Sequence, residues 1–182
     1  VLDTAVSLSP DAIHVVVGVG AEQAIALAEE AHPHADINWV TQQEQLGTGH
    51  AVRAALPGLK QSDADDNSVL ILFGDVPLIS RSTLQQVIDH CGPEQVSLLT
   101  TRASVPEGFG RIIRNRDGDV AAIVEERDAS AEQKRINEVN SGIMAIPALR
   151  LRAWLDALNT GNDQGEYYLT DIVAMAHADE VR

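Results

Sequence analysis

Ser68-Val-Leu-Ile-Leu-Phe-Gly-Asp-Val-Pro-Leu78 is a continuous apolar run that stops at Gly74 and Asp75. A short run of β-branched and aliphatic residues bounded by turn residues is typical of a strand buried on both faces of a parallel sheet. Ligands of open α/β sheets bind at the carboxyl ends of such strands, where a carboxylate can hold a divalent cation against phosphate. Asp75 is therefore the first candidate for metal binding and catalysis. The alternative is that Gly-Asp-Val-Pro only ends the strand in a turn.

The composition indicates one folded domain with an acidic surface. Apolar residues make up 45% of the 182 positions, and 27 Asp and Glu outnumber 13 Lys and Arg, which gives a net charge of −14. This excess argues against a surface for DNA or RNA. The single Cys91 excludes an internal disulfide, and no apolar segment approaches the roughly 20 residues that cross a membrane. We expect neither a nucleic acid nor a membrane as partner, and a reduced, cytoplasmic location.

Helical and strand patterns alternate along the first half of the chain. This alternation predicts βαβ units and a mostly parallel sheet covered by helices on both faces. The predicted elements are an opening helix, strand 13–17, helix 21–31, strand 37–40, helix 49–56, the strand that ends at Asp75, helix 82–90 with Ser80 or Ser82 as its cap, and strand 96–101.

From Gly108 the pattern changes to two strands about an Asp117-Gly118 turn. Asp-Gly between apolar runs is a strong hairpin signal, so we expect an antiparallel insertion over the open edge of the sheet. The acidic run at 63–66 is interpreted as a solvated loop. The remaining predicted elements are a helical turn over 128–135, a strand over 140–146 and a helix over 147–157.

A glycine-containing loop, Gln42-Gln-Glu-Gln-Leu-Gly-Thr-Gly-His50, joins a predicted strand to a predicted helix. The free amides and positive end of a helix at this point suit an anion or the polar edge of a ring. The loop lacks the Gly-Lys-Ser/Thr ending of a P-loop, and Gly18-Val-Gly20 does not continue into a dinucleotide fingerprint. A merely tight connection is the alternative.

Further clusters lie in the second half of the chain, and each taken singly is compatible with a simple turn. The last of them combines two tyrosines, two carboxylates and a hydroxyl between a polar loop and a helix, where Tyr can line a polar cavity. A helix that only contributes to the core is the alternative. The clusters are Glu107-Gly-Phe-Gly-Arg111, Glu125-Glu-Arg-Asp128, Asn140-Ser-Gly142 and Gly165-Glu-Tyr-Tyr-Leu-Thr-Asp171.

The histidines and the cysteine contribute little to this interpretation. His32 and His34 have no nearby thiol or third ligand, which argues against zinc. His50, the last residue of the glycine-containing loop, is the one histidine of the six that lies at a candidate site. Cys91 has no evident activating partner and is expected to be inert.

Six motifs follow one another along the chain: Gln42-x-Glu-Gln-Leu-Gly-Thr-Gly-His-Ala51, Phe73-Gly-Asp-Val-Pro-Leu78, Gly108-Phe-Gly-Arg111, Ile123-Val-Glu-x-x-Asp-Ala129, Asn137-Glu-Val-Asn-Ser-Gly142 and Gly165-Glu-Tyr-Tyr-Leu-Thr-Asp171. Together and in this order, they closely resemble the N-terminal uridyltransferase domain of the bacterial bifunctional N-acetylglucosamine-1-phosphate uridyltransferase/glucosamine-1-phosphate acetyltransferases. The resemblance covers nearly the whole chain.

The resemblance implies an α/β fold of the Rossmann-like nucleotidyltransferase type, with a mostly parallel mixed sheet and a β-hairpin insertion. It also implies transfer of UMP from UTP to N-acetylglucosamine 1-phosphate, with Mg²⁺ as cofactor. Asp75 is implied as the metal ligand and catalytic residue, with Phe73 and Gly74 beside the nucleotide. The family commonly has Tyr where this chain has Phe73. The other implied substrate-binding residues are Gln42, Gly47 and Thr48 for uracil, and Gly110, Glu125, Asn140, Tyr168 and Thr170 for the amino sugar.

The departures from the family pattern lie at both ends. The family begins with a strand, a Gly-x-Gly-x-Arg-Met loop and a Lys, and it has a second metal ligand, an Asn, after the region matched here. We therefore expect residues 1–182 to be the central part of one incomplete nucleotidyltransferase domain, inactive alone. The acetyltransferase β-helix, through which the family forms homotrimers, is expected to lie elsewhere in a longer protein. A nucleotidyltransferase for another sugar phosphate and a non-catalytic sugar-nucleotide sensor remain alternatives.

Overall fold

A computed structural model describes residues 1–59 and 67–182, so the acidic run at 63–66, interpreted above as a loop, lies outside the described residues. The helices are α1 (Leu2–Ser7), α2 (Glu22–Ala31), α3 (Thr48–Ala55), α4 (Arg81–Asp89), α5 (Ala148–Ala157) and α6 (Asp171–Ala178). The strands are β1 (Ile13–Val17), β2 (Ile37–Thr41), β3 (Ser68–Ile71), β4 (Ser97–Arg102), β5 (Arg111–Arg114), β6 (Val120–Val124) and β7 (Glu138–Pro147).

Strands β1 and β2 form a parallel pair, with Ile13 opposite Ile37 and Val17 opposite Thr41. Helix α2 connects them, as the βαβ prediction requires. Helix α3 follows β2 and packs against β1. Both strands therefore direct their carboxyl ends, and the loops that follow them, to the same edge.

Strand β7 is the centre of the second sheet. It pairs antiparallel with β3 and with β4, so these two strands run in the same direction on either side of it. The predicted mixed α/β fold is confirmed, but the share of antiparallel pairing is larger than expected. The reason is that β7, which is distant in the sequence, inserts between strands that the βαβ pattern treats as neighbours.

The strand predicted to end at Asp75 ends earlier, at Ile71, and of its four residues only Ile71 is buried. In the facing strand β7, Gly142 has the left-handed φ of +82°. The Phe73 ring lies against Gly142 so closely that a Cβ there would come within 2.7 Å of Phe73 Cδ2. Ladder pairing consequently gives way to side-chain packing before the chain reaches Gly74 and Asp75.

The predicted hairpin is confirmed, with its turn at 115–119. Gly118 has φ +91°, and the Asn115 carboxamide oxygen accepts hydrogen bonds from the amides of Asp117 and Asp119. The hairpin does not lie over an edge of the sheet as expected. It extends the sheet, because β5 pairs with β7 through Arg111 and Val139.

The core lies on both faces of β7, whose successive side chains point in opposite directions. Ile143 and Ala145 pack with Leu84 and Val87 of α4. Met144 and Ile146 pack with residues of α5 and α6 on the other face. Ser80 caps α4 by accepting a hydrogen bond from the Thr83 amide at 3.1 Å, as one of the two predicted caps. In the part of the chain that is described, no helix combines the length and apolar character needed to cross a membrane.

Candidate functional site

The stretch 42–50, which ends in the first turn of α3 and is called here the Gln42 loop, is hydrogen-bonded to the segment 165–171, called here the Tyr167 segment. The Tyr167 amide donates to Leu46 O and the Gly49 amide donates to Tyr167 O, both at 2.8 Å. The Leu169 amide donates to Thr48 Oγ1 at 3.1 Å. Two motifs more than a hundred residues apart are thereby joined by backbone contacts.

Two glycines of the Gln42 loop permit this close approach. Gly47 has φ +104°, and a Cβ there would lie 2.7 Å from Tyr167 O. A Cβ on the buried Gly49 would lie 3.0 Å from the same oxygen and overlap the Leu158 side chain. These glycines therefore form a tight connection because a second segment lies against them.

Gln42 directly follows β2, and its backbone amide donates to Val17 O at 2.8 Å. Its side-chain Nε2 lies 3.2 Å from Gly47 O and 2.9 Å from His50 Nδ1. A depression of about 370 Å³ opens beside this group, within the size range of small-molecule sites. It is lined by Thr41, Gln42, Gln43, Glu44, His50 and Ala54.

An aromatic and cationic stack supports the Gln42 loop. The His50 and Tyr167 rings have centroids 6.2 Å apart and an interplanar angle of 29°. The Arg53 guanidinium lies 4.5 Å from the centre of the Tyr167 ring and donates to Leu155 O. The sequence pattern predicts that Tyr167 can line a polar cavity, gives Arg53 no role and singles out His50 only by its position, because the contacts among them depend on long-range packing.

A second group of predicted residues, called here the Glu125 cluster, consists of Gly110, Glu125, Asn140, Tyr168 and Thr170. Thr170 Oγ1 donates to Glu125 Oε1 at 2.8 Å. A Cβ on Gly110 would lie 3.4 Å from both Glu125 oxygens. The backbone amide of Asn140 donates to Gly110 O at 2.9 Å, and the Asn140 side-chain Oδ1 accepts from the backbone amide of Gly142. These contacts bring Gly110, Glu125, Asn140 and Thr170 together, and Tyr168, whose pKa is raised mainly by burial, lies near enough for the charge of Glu125 to contribute to that rise.

The Glu125 cluster is rich in hydrogen-bond acceptors and negative charge. Burial, followed by the charges of Glu125 and Asp128, raises the pKa of the neighbouring Asp171. Burial also raises the pKa of Tyr168, whose hydroxyl accepts a hydrogen bond from Gln164 Nε2 at 2.8 Å. Such a site suits the uncharged part of a ligand, where hydroxyl and amide N–H groups act as donors.

A buried arginine side chain holds the loop that contains Gly110. The fully buried Arg111 pairs with Glu126 at 2.5 Å and also donates to the carbonyls of Phe109 and Lys134. The Glu126 pKa is lowered chiefly by its hydrogen bond from Arg111. The sequence places Arg111 in the motif Gly108-Phe-Gly-Arg111 but indicates no role for it. The signal available was a charged residue at the start of an apolar strand.

The third group, Phe73, Gly74 and Asp75, is adjacent to the Glu125 cluster through the contact between Phe73 and Gly142. Gly74 and Asp75 lie in an exposed turn. Among residues 1–59 and 67–182, no group of three or more His, Cys, Asp or Glu side chains could hold a metal. Asp75 therefore offers one exposed carboxylate, which fits Mg²⁺ only in the common arrangement where substrate phosphates and water complete the shell.

Curated relatives match the chain along its whole length. The bifunctional protein GlmU of Stutzerimonas stutzeri (strain A1501) is 51% identical over 182 residues, which are 100% of this chain and 38% of that protein. The bifunctional protein GlmU of Neisseria meningitidis serogroup A / serotype 4A (strain DSM 15465 / Z2491) is 50% identical over the same shares. The chain thus spans less than two fifths of these relatives.

Solved structures show the same fold at low sequence identity. UDP-glucose pyrophosphorylase complexed with UDP-glucose superposes with a TM-score of 0.69 at 13% identity, covering 97% of this chain and 73% of that one. The apo form of UDP-glucose pyrophosphorylase gives a TM-score of 0.67 at 12% identity, covering 98% of this chain and 73% of that one. The family of MobA-like NTP transferase domains matches residues 1–171, which include all three groups of candidate site residues. The chain therefore belongs to the family of MobA-like NTP transferase domains.

Proposed function

We propose that the complete protein carrying this chain transfers UMP from UTP to N-acetylglucosamine 1-phosphate, forming UDP-N-acetylglucosamine and pyrophosphate. The observation that supports this most directly is a pair of hydrogen bonds made by two consecutive residues. The backbone amide of Leu169 donates to the Thr48 hydroxyl of the Gln42 loop, and the Thr170 hydroxyl donates to the Glu125 carboxylate. A base-binding loop and an amino-sugar site would thus be kept in register by one short segment.

The nucleotide would bind at the Gln42 loop. Gln42, Gly47 and Thr48 are the residues matched to uracil binding, and the depression beside Gln42 has room for a pyrimidine ring. Its hydrogen-bonding groups come from a loop fixed by backbone contacts to the Tyr167 segment. Such a preorganised site lowers the entropy lost when the base binds.

The amino sugar would bind at the Glu125 cluster. Glu125 and Tyr168 offer oxygens to sugar hydroxyls and to the acetamido N–H, while Thr170 orients the Glu125 carboxylate. The small Gly110 leaves space next to both carboxylate oxygens. Asn140 is anchored to Gly142 through its side-chain oxygen, which leaves its amide N–H groups for ligand oxygens.

Asp75 is the residue that would hold Mg²⁺, with Phe73 and Gly74 beside the nucleotide. When bound, the ion would neutralise phosphate charge that the acidic chain cannot neutralise. A sugar phosphate oxygen forms a bond to the α-phosphorus of UTP as the bond from that phosphorus to pyrophosphate breaks. The nucleophile is already ionised near neutral pH, so the protein mainly aligns the reactants and needs no general base.

Pyrophosphate release by the complete protein tests the proposal. We expect turnover with UTP and N-acetylglucosamine 1-phosphate, and much slower turnover with glucose 1-phosphate or glucosamine 1-phosphate. Equal rates with glucose 1-phosphate would favour a different sugar substrate. Binding of UDP-N-acetylglucosamine without any turnover would instead identify a sensor.

Asp75→Asn tests the metal assignment. Because Asp75 is exposed, we expect the fold to be retained while magnesium-dependent turnover falls by more than tenfold, which corresponds to about 1.4 kcal/mol. Asp11→Asn, also at an exposed position, is the matched control. Turnover of the Asp75 variant within about threefold of the parent would contradict the assignment.

The resemblance also supports proposals about the rest of the protein. We propose that its remaining part carries a glucosamine-1-phosphate acetyltransferase domain and forms a homotrimer, and that the protein acts in the cytoplasm. Gel filtration and acetyltransferase assays of the complete protein test the first two points.

A further inference from the structure

The orientation of the Gln42 carboxamide follows from its hydrogen bonds. One end of the amide lies 3.2 Å from Gly47 O, and a backbone carbonyl can only accept a hydrogen bond. The atom at this end must therefore be the amide nitrogen Nε2, which carries two hydrogens.

The same nitrogen also determines the state of His50. Nε2 of Gln42 lies 2.9 Å from His50 Nδ1, and an amide nitrogen can donate but cannot accept. Nδ1 must then be the unprotonated acceptor, with the ring hydrogen on His50 Nε2. The ring is held in place by its stack on Tyr167, which in turn lies beneath Arg53.

Both hydrogens of the Gln42 amide are thus used within the protein. No hydrogen bond to Gln42 Oε1 is found in the described part of the chain, and the residue lines the depression of about 370 Å³. The group available to a ligand is consequently an acceptor, which pairs with an N–H donor. Uracil carries such a donor at N3, whereas cytosine has a lone pair at N3.

We propose that His50 is a positioning residue that selects the pyrimidine base by holding Gln42 with its Oε1 toward the ligand. This inference rests on the proposed function, because it concerns the same nucleotide site. Without the His50 acceptor, Gly47 O is the one hydrogen-bond partner of the side-chain amide that is left among residues 1–59 and 67–182 to oppose its rotation. A rotated amide would present Nε2 and accommodate the cytosine edge.

Two substitutions of His50 separate hydrogen bonding from packing. His50→Phe keeps a ring next to Tyr167 and removes the acceptor. His50→Asn removes the ring and keeps an acceptor oxygen near the position of Nδ1. In the complete protein we expect His50→Phe to raise KM for UTP about three- to tenfold, the effect of one hydrogen bond. The preference for UTP over CTP should fall by a similar factor, while kcat and KM for the sugar phosphate stay within twofold.

His50→Asn should restore the preference for UTP, and His90→Phe, at the exposed end of α4, should match the parent. In a Gln42→Ala background, His50→Phe should cause no further loss of selectivity, because the two residues act through one interaction. His50→Leu replaces the Phe variant if that variant does not fold. An Asn variant that behaves like the Phe variant, or a loss confined to kcat, would overturn the proposal.

Calorimetric binding of UDP and CDP keeps this test independent of turnover. If the parent protein binds UDP but does not release pyrophosphate, the proposed reaction fails while the His50 variants still test base selection. If the parent shows no preference for UDP over CDP, the role of His50 is overturned even when turnover is observed.

Discussion

The Glu125 carboxylate has one oxygen already engaged, because Oε1 accepts the Thr170 hydroxyl at 2.8 Å. Thr170 is buried, and although it precedes α6 its side chain makes no capping bond. The hydroxyl therefore orients the carboxylate rather than the helix. We therefore expect Thr170 to affect sugar binding through the orientation of Glu125.

Thr170→Val tests this role, since it removes the hydroxyl at nearly constant volume. We expect KM for N-acetylglucosamine 1-phosphate to rise about three- to tenfold, as one hydrogen bond is lost, with KM for UTP unchanged. Thr170→Ser retains the hydroxyl and should resemble the parent. Steady-state kinetics with each substrate varied in turn would measure the difference, and an equal rise in both KM values would contradict a local effect.

Asp171 stands at the start of α6 beside the Glu125 cluster, and burial followed by the charges of Glu125 and Asp128 raises its pKa. A carboxyl group whose pKa is higher in the folded protein than in the unfolded chain reduces the free energy of unfolding at pH values above its folded-state pKa. This reduction becomes smaller as the pH falls, and it vanishes below the unfolded-state pKa of about 3.9. At neutral pH, the ionised Asp171 therefore lowers the stability of the folded protein, while it adds negative charge near the Glu125 cluster.

Asp171→Asn should accordingly raise the free energy of unfolding at pH 7, and the gain should shrink toward pH 4. Urea unfolding at several pH values would measure it. The exposed Asp11→Asn provides the control, with no pH-dependent gain expected. A gain that grows in acid would show that the sign of this argument is wrong.

Local sequence patterns predicted the bounds of individual helices and strands better than they predicted which elements and side chains contact one another. The bounds of β1 matched the prediction, and α2, α3 and α4 each began or ended within one residue of it, because apolar periodicity and caps are local properties. The early end of β3 depends instead on Gly142, more than sixty residues away. Likewise, motifs identified Gln42 and Glu125 as candidates. The bonds that orient them, to His50 and Thr170, became visible only in the folded structure.

Glu138 connects three strands of the second sheet. Its oxygens accept from Arg114 Nη2 at 2.6 Å and Nε at 3.0 Å, and from Thr100 Oγ1 at 3.0 Å. The hydrogen bond from Arg114 is the main cause of its lowered pKa. Stability from a carboxylate with a lowered pKa is present above its unfolded pKa, about 4.3, and is lost as pH falls through the folded value.

Glu138→Gln should therefore lower the free energy of unfolding at pH 7 by about 1 kcal/mol, a figure reduced for the partial exposure of Arg114. The difference from the parent should fade below pH 4. Glu94→Gln is the matched control, because Glu94 is 72% exposed in its pair with Arg150 and should contribute little. Equal effects of the two substitutions would contradict the bridging role of Glu138.

The parallel pair β1–β2 and the β7-centred sheet are separate hydrogen-bonded sheets in the described part of the molecule. Helix α3 links them, since it packs on β1 and also on α5, and its first turn is bonded to the Tyr167 segment. The contacts that join the two sheets therefore coincide with those that bring the proposed base and sugar sites together. Loosening this junction should affect stability and substrate binding at once.

Gly49→Ala tests the junction. The new Cβ would lie 3.0 Å from Tyr167 O and 3.3 Å from the Leu169 amide nitrogen, and it would overlap the Leu158 side chain, so the two segments must separate. Overpacking of this kind costs about 1–3 kcal/mol. In hydrogen exchange, we expect amides of β1, β2 and α3 to lose protection while those of β7 keep theirs. Gly92→Ala is the control, since a Cβ there meets no atom within 4 Å and its φ is not positive. Uniform loss of protection across both sheets would instead mean that the molecule opens as one cooperative unit, with α3 acting as part of its core rather than as a junction.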